Sequence, residues 1–205
     1  MSPRDLDDIH PADCPPFDYE ECPERAAILP RQAARLLYCL RTGELDTLGS
    51  AADTRDAHLC LYRELTPAGC EYYAGHYRGE PFRCLRNYPV MLPGDPTVGA
   101  PPGQVTNLMA RLSEEISASL KGLDEGNNLP EAQVSAAQKI GYILTFACHC
   151  FEWFLRIHPY ANGNGHAARF LLLAILARFG HWPRKYWRLE PKPPEPYTSM
   201  IVSYR

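Results

Sequence analysis

Several features are scarce or missing in this chain, and each gap narrows what the chain can do. There is no excess of positive charge: 21 Lys and Arg stand against 24 Asp and Glu, a formal net charge of −3. A broad basic field is what draws a protein to a phosphate backbone, so no nucleic-acid partner is expected. A long apolar run is also missing. The longest, residues 170–177, is closed by Arg169 and Arg178 and is far shorter than the roughly 20 residues that cross a bilayer. No membrane partner is expected. The first thirty residues are acidic and proline-rich, without the apolar stretch of a secretory signal. Cysteine is present at 8 residues, but the spacings do not form a disulfide framework. Reduced core thiols are expected instead, and with them a cytoplasmic location or delivery into another cell's cytosol. Cys148, His149 and Cys150 look like metal ligands at first. Neighbours on a helix point about 100° apart, so the three do not converge on one ion, and no metal site is expected. No internal repeat is present.

What remains has the makings of an ordinary globule. Hydrophobic residues are 45% of the chain and charged residues 22%, enough for a sizeable core. Residues 1–30 read as a Pro-rich acidic arm, and 31–205 as one helical domain. Apolar spacing predicts helices over 31–42, 54–65, 105–120, 130–157 and 165–179, with loops at 45–53 and 122–129. The helix at 165–179 is apolar nearly all round, so it is expected at the centre. Residues 88–95 carry the β-favouring and turn residues of a short hairpin. The fold class is therefore all-α with a small β-hairpin.

One stretch carries chemistry: Ile157-His158-Pro159-Tyr160-Ala161-Asn162-Gly163-Asn164-Gly165-His166-Ala167-Ala168-Arg169. Alternating glycines let successive N–H groups point at one spot. At the start of a helix such a nest binds phosphate through its donors and the helix dipole. His158 stands at its entrance, suited either to act as a base or to cap the preceding helix. Arg169 lies one turn after His166, on the same face, where a guanidinium reaches phosphate bidentately. Arg78 and Arg111 have no such placement and are expected on the surface.

The stretch resembles the motif of the Fic family, His-Pro-Phe-x-Asp/Glu-Gly-Asn-Gly-Arg-x-x-Arg. Ala74-Gly75-His76-Tyr77-Arg78 is similar to the Ala-Gly-x-Tyr-Arg segment before that family's flap. The resemblance covers about residues 57–205, and the family's domain usually continues further, so a shortened C-terminus is expected. It implies that His158 deprotonates a hydroxyl of a target protein. The hydroxyl then attacks the α-phosphate of a nucleotide, usually ATP, and pyrophosphate leaves. Asn162, Gly163, Asn164, Gly165, His166 and Arg169 are the implied nucleotide-binding residues, and Tyr160 is expected to pack inward as the family's Phe does. The flap near 88–95 is implied to hold the target segment by strand addition.

Two positions depart from the family. Asn162 stands where an acidic metal ligand belongs, and His166 stands for an arginine. A neutral amide oxygen holds Mg2+ weakly, and imidazole lacks the arginine fork. Either the site is retuned, or catalysis is lost and a module that binds nucleotide and a protein partner remains. No Ser or Thr has Glu four residues later, so the family's internal inhibitory helix is not visible and a separate inhibitor protein is the expected alternative.

Overall fold

The computed structural model describes residues 11–90, 99–182, 188–190, 193, 195 and 199. Among them are six α-helices and no strand. They are α1 (Arg25–Thr42), α2 (Thr47–Ala52), α3 (Arg55–Tyr62), α4 (Pro102–Asn127), α5 (Ala136–Ile157) and α6 (Asn164–Arg178). Single 3-10 turns lie at Tyr19–Glu21 and Glu71–Tyr73. The all-α architecture is as expected; the hairpin expected at 88–95 lies largely outside the described residues.

Each helix buries the face its spacing dictates. On α1 the buried residues are Leu29, Gln32, Ala33, Leu36 and Leu40, and the helix stops at Gly43, whose φ of 78° reverses the chain. On α4 they are Val105, Met109, Leu112, Ile116 and Leu120. Helix α5 opens with a capping box between Ser135 and Gln138, later than the expected start at 130. It is the one described helix apolar and long enough, by length and composition alone, to cross a membrane. Its buried stripe of Ile143, Ala147, Cys150 and Phe154 packs on α4 and α6. Helix α6 is buried from His166 to Leu176 and touches α1, α2, α3 and α5. It is the central helix that its uniform apolarity demands.

Four expectations are corrected. The loop at 45–53 contains α2, started by the Asp46 carboxylate accepting from Gly49 N–H at 2.6 Å. The loop at 122–129 is mostly the last turns of α4. The described part of the arm is not a loose lead-in: Phe17 is 1% exposed and packs among Tyr19, Tyr62 and Tyr73. The arm is also covalently anchored by a Cys14–Cys84 disulfide, so not every cysteine is a reduced thiol. Cys22, Cys39, Cys60, Cys70, Cys148 and Cys150 are free.

Candidate functional site

The motif loop joins the end of α5 to the start of α6. Its first residue, His158, is the C-cap of α5 at φ 53° and ψ 61°. Among the described residues it is the only non-glycine with positive φ. Such a conformation persists where surrounding contacts over-determine it. Arg78 supplies them. Its Nε donates to His158 O at 2.9 Å, Nη2 to Ile157 O and Ala100 O, and Nη1 to Tyr88 O. Its own N–H donates to Pro159 O at 2.8 Å. Expected on the surface, Arg78 is instead 1% exposed. Burial pushes its pKa down to about 10, which leaves it charged at neutral pH. Four carbonyl partners make that burial tolerable.

Inside the loop, Tyr160 is buried as expected, and its hydroxyl shares a 2.8 Å hydrogen bond with Thr54 Oγ1. Its ring stacks on His58 at 3.7 Å. His58 Nδ1 accepts from Gly75 N–H at 3.0 Å, so Nε2 carries the proton and donates to Asn162 O at 3.0 Å. Burial drives the His58 pKa down to about 3, so it stays neutral. Asn164 closes the loop: its Oδ1 accepts from Tyr160 N–H and its Nδ2 donates to Tyr160 O. That side chain faces inward, away from any ligand. Gly163 sits at φ 77° against the Tyr62 ring, where an added Cβ would collide.

At the mouth, His158 is half-buried with Nδ1 3.2 Å from Leu155 O. A carbonyl only accepts, so Nδ1 carries the proton and Nε2 the lone pair. In the first turn of α6 the His166 and Ala167 N–H groups donate to Gly163 O at 3.0 and 3.1 Å, whereas those of Asn164 and Gly165 come too early in the helix for an intrahelical acceptor. The Gly163 N–H is taken by Asn162 Oδ1 at 2.7 Å. The other half of the Asn162 amide, Nδ2, donates to Phe17 O at 2.7 Å and to Glu20 Oε2 at 2.9 Å. Both ends of the Asn162 amide are therefore engaged within the protein, and its oxygen carries no formal charge for a cation. Position 162 does not fit Mg2+, and no group of three or more His, Cys, Asp or Glu suited to a metal occurs among the described residues.

His166 and Arg169 lie on the same side of α6, but both are covered. His166 is 5% exposed, with Nδ1 2.6 Å from the Tyr62 hydroxyl and Nε2 2.5 Å from Glu190 Oε2. Burial lowers the pKa of His166, against the pull of Glu190. The carboxyl of Glu190 is itself held low by the hydrogen bond from His166. A neutral imidazole satisfies every atom: Tyr62 O–H donates to Nδ1, and Nε2–H donates to a charged Glu190. Arg169 Nε and Nη2 both donate to Leu189 O, at 3.2 and 3.1 Å.

His158, Asn162 and Gly165 are partly exposed in the loop, and Gly163 is buried against Tyr62. Asn164 serves the loop's own structure. His166 and Arg169 sit beneath 188–190. Sequence reasoning missed Arg78, His58, Glu20 and Glu190. Only Arg78 carried a signal, as the end of the Ala-Gly-x-Tyr-Arg segment.

The sequence model of the Fic/DOC family matches residues 50–176, more than half of the chain. No curated protein and no solved structure matches it. The matched span holds the whole motif loop with Arg78 and His58. It leaves out the two segments that cover the loop, the arm and 188–190.

Proposed function

The chain belongs to the Fic/DOC family, and from that premise we propose that it transfers AMP or a related phosphate-linked group from a nucleotide, ATP first among them, to a hydroxyl of a target protein. The observation that carries this reading is His158 with its Nε2 lone pair, fixed by Arg78 at the entrance of the α6 N-terminus. His158 takes the proton of the target hydroxyl. The hydroxyl oxygen forms a bond to the α-phosphorus, the bond to the β-phosphate oxygen breaks, and pyrophosphate departs. The N–H groups of Asn164 and Gly165 offer donors to phosphate oxygens. The target segment lies under the flap near 88–95. A separate inhibitor protein fits the absence of the family's internal inhibitory motif. Incubation with labelled nucleotides and candidate target proteins tests the proposal. Label passes to a target with the native chain and fails to pass with His158→Ala, while nucleotide binding persists. Transfer undiminished in the variant would sink it.

A second reading is a module that binds nucleotide and a protein partner without turnover. It is favoured by the burial of His166 and Arg169 against Glu190 and Leu189. Nucleotide binding by calorimetry with no label transfer to any target would support it.

A further inference from the structure

We infer that residues 14–21 form a strap over the motif loop, locked by the Cys14–Cys84 disulfide and seated on Asn162, and that a dithiol reductant unlocks it. The regulated site is the nucleotide site proposed above, and to that extent the inference rests on that reading.

The strap has four kinds of fastening. Its far end is covalent, joining residues 70 apart in sequence. Beside the disulfide, Tyr73 Oη donates to Pro15 O at 2.9 Å and Arg83 pairs with Asp13 at 2.6 Å. In the middle, Phe17 fills a cage of Tyr19, Tyr62 and Tyr73, and its N–H donates to Tyr88 Oη. Over the loop, Asn162 Nδ2 reaches both Phe17 O and Glu20 Oε2. The near end continues into α1 at Arg25.

This accounts for the amide at position 162. Both strap partners of that side chain are acceptors, a carbonyl and a carboxylate. Asparagine donates to both. An aspartate in the same place would set its charge against Glu20 and leave Phe17 O without a donor. The residue that fails as a metal ligand succeeds as a latch.

The disulfide sets how firmly the latch holds. With Cys14 bound to Cys84, the strap is fixed at both ends and cannot swing away from the loop. A dithiol opens it in two steps. One thiolate attacks the half-exposed Cys14 sulfur, releasing the Cys84 thiolate and forming a mixed disulfide. The second thiol then closes the reductant's own disulfide and releases Cys14. Two electrons pass to the protein, and the two protons on the new protein thiols come from the dithiol. Residues 14–21 then hold to the loop by non-covalent contacts alone.

Hydrogen exchange on the full chain tests this, oxidised and after dithiothreitol. The reporters are the amides of Phe17, Glu21 and Cys22, which donate to Tyr88 Oη, Asp18 O and Tyr19 O. Reduction is expected to speed their exchange roughly ten- to a hundredfold, with α4 and α6 unchanged. Cys14→Ser should exchange fast from the outset and ignore the reductant. Asn162→Asp, kept oxidised, should raise exchange at Phe17. Calorimetry with inorganic pyrophosphate should show several-fold tighter binding after reduction. Unchanged exchange at the three reporters would overturn the lock, and so would acceleration spread evenly through α4 and α6. Faster exchange with unchanged pyrophosphate affinity would overturn the gating. None of these readouts uses label transfer, so failure of the proposed transferase reaction is detected separately.

Discussion

At the His158 end of the motif loop, the main chain is gripped by side chains from inside the family domain: Arg78, His58 and Asn164. At the Arg169 end the motif's own side chains are gripped, by Glu190 and Leu189 from beyond it. The first arrangement holds the backbone of an anion nest from within the family domain. The second makes the charged half of the site conditional on where 188–190 lies. A loop can thus keep the backbone geometry of a phosphate site while its basic side chains are withheld from ligand.

The largest effect expected at the gripped-backbone end is chemical. His158→Ala should cut transfer by about two to four orders of magnitude, read as label incorporated per unit time at saturating nucleotide. Next comes stability. Arg78→Met removes the donor to four buried carbonyls and should cost roughly 3–5 kcal/mol, measured by urea unfolding. A cost under about 1 kcal/mol would mean that the loop holds itself. Gly163→Ala places a methyl against the Tyr62 ring at a left-handed φ and should cost roughly 2–4 kcal/mol in the same assay.

The third effect is on pH dependence. The native pKa of His58, about 3, lies below the roughly 6.5 of an unfolded histidine. Its contribution is therefore complete above about pH 6.5 and is lost as pH falls toward 3, because only the unfolded chain takes the proton. The slope reaches up to about 1.4 kcal/mol per pH unit. His58→Gln should remove about one proton from that slope between pH 6.5 and 5. An unaltered slope would place the proton uptake elsewhere, with buried His166 the next candidate. The smallest effect belongs to the covered end. Glu190→Gln removes one negative charge beside His166 and should tighten pyrophosphate binding roughly two- to fivefold, read by calorimetry.

Much of this was legible in the sequence, and the exceptions share a cause. The central helix followed from a segment apolar on every side, and the inward turn of Tyr160 from its place in the motif. Helix α2 was missed because Gly49 and Ser50 are weak helix formers; the Asp46 cap and packing on α6 override that preference. Arg78 was misplaced because a guanidinium is normally solvated, and only carbonyls brought together by the fold can bury it. The disulfide spans 70 residues, which no local spacing announces. Glu20 and Glu190 reach the loop from outside the family domain, so the motif carries no trace of them. The hairpin expected at 88–95 lies largely outside the described residues.

Arg78 has a consequence for the field at the loop. Helix α5 ends at Ile157 and α6 begins at Asn164, so the negative pole of one helix and the positive pole of the next flank the same short loop. Each pole is equivalent to roughly half a unit charge. Left bare, the α5 pole would cancel much of the attraction that α6 exerts on a phosphate. The guanidinium of Arg78 rests on the last carbonyls of α5, Ile157 O and His158 O, and reverses the sign of that pole from within the core. Being buried, it is poorly screened by salt. An anion approaching the loop then meets two positive ends instead of an opposed pair, and the pull should persist at ionic strengths that would silence a surface arginine.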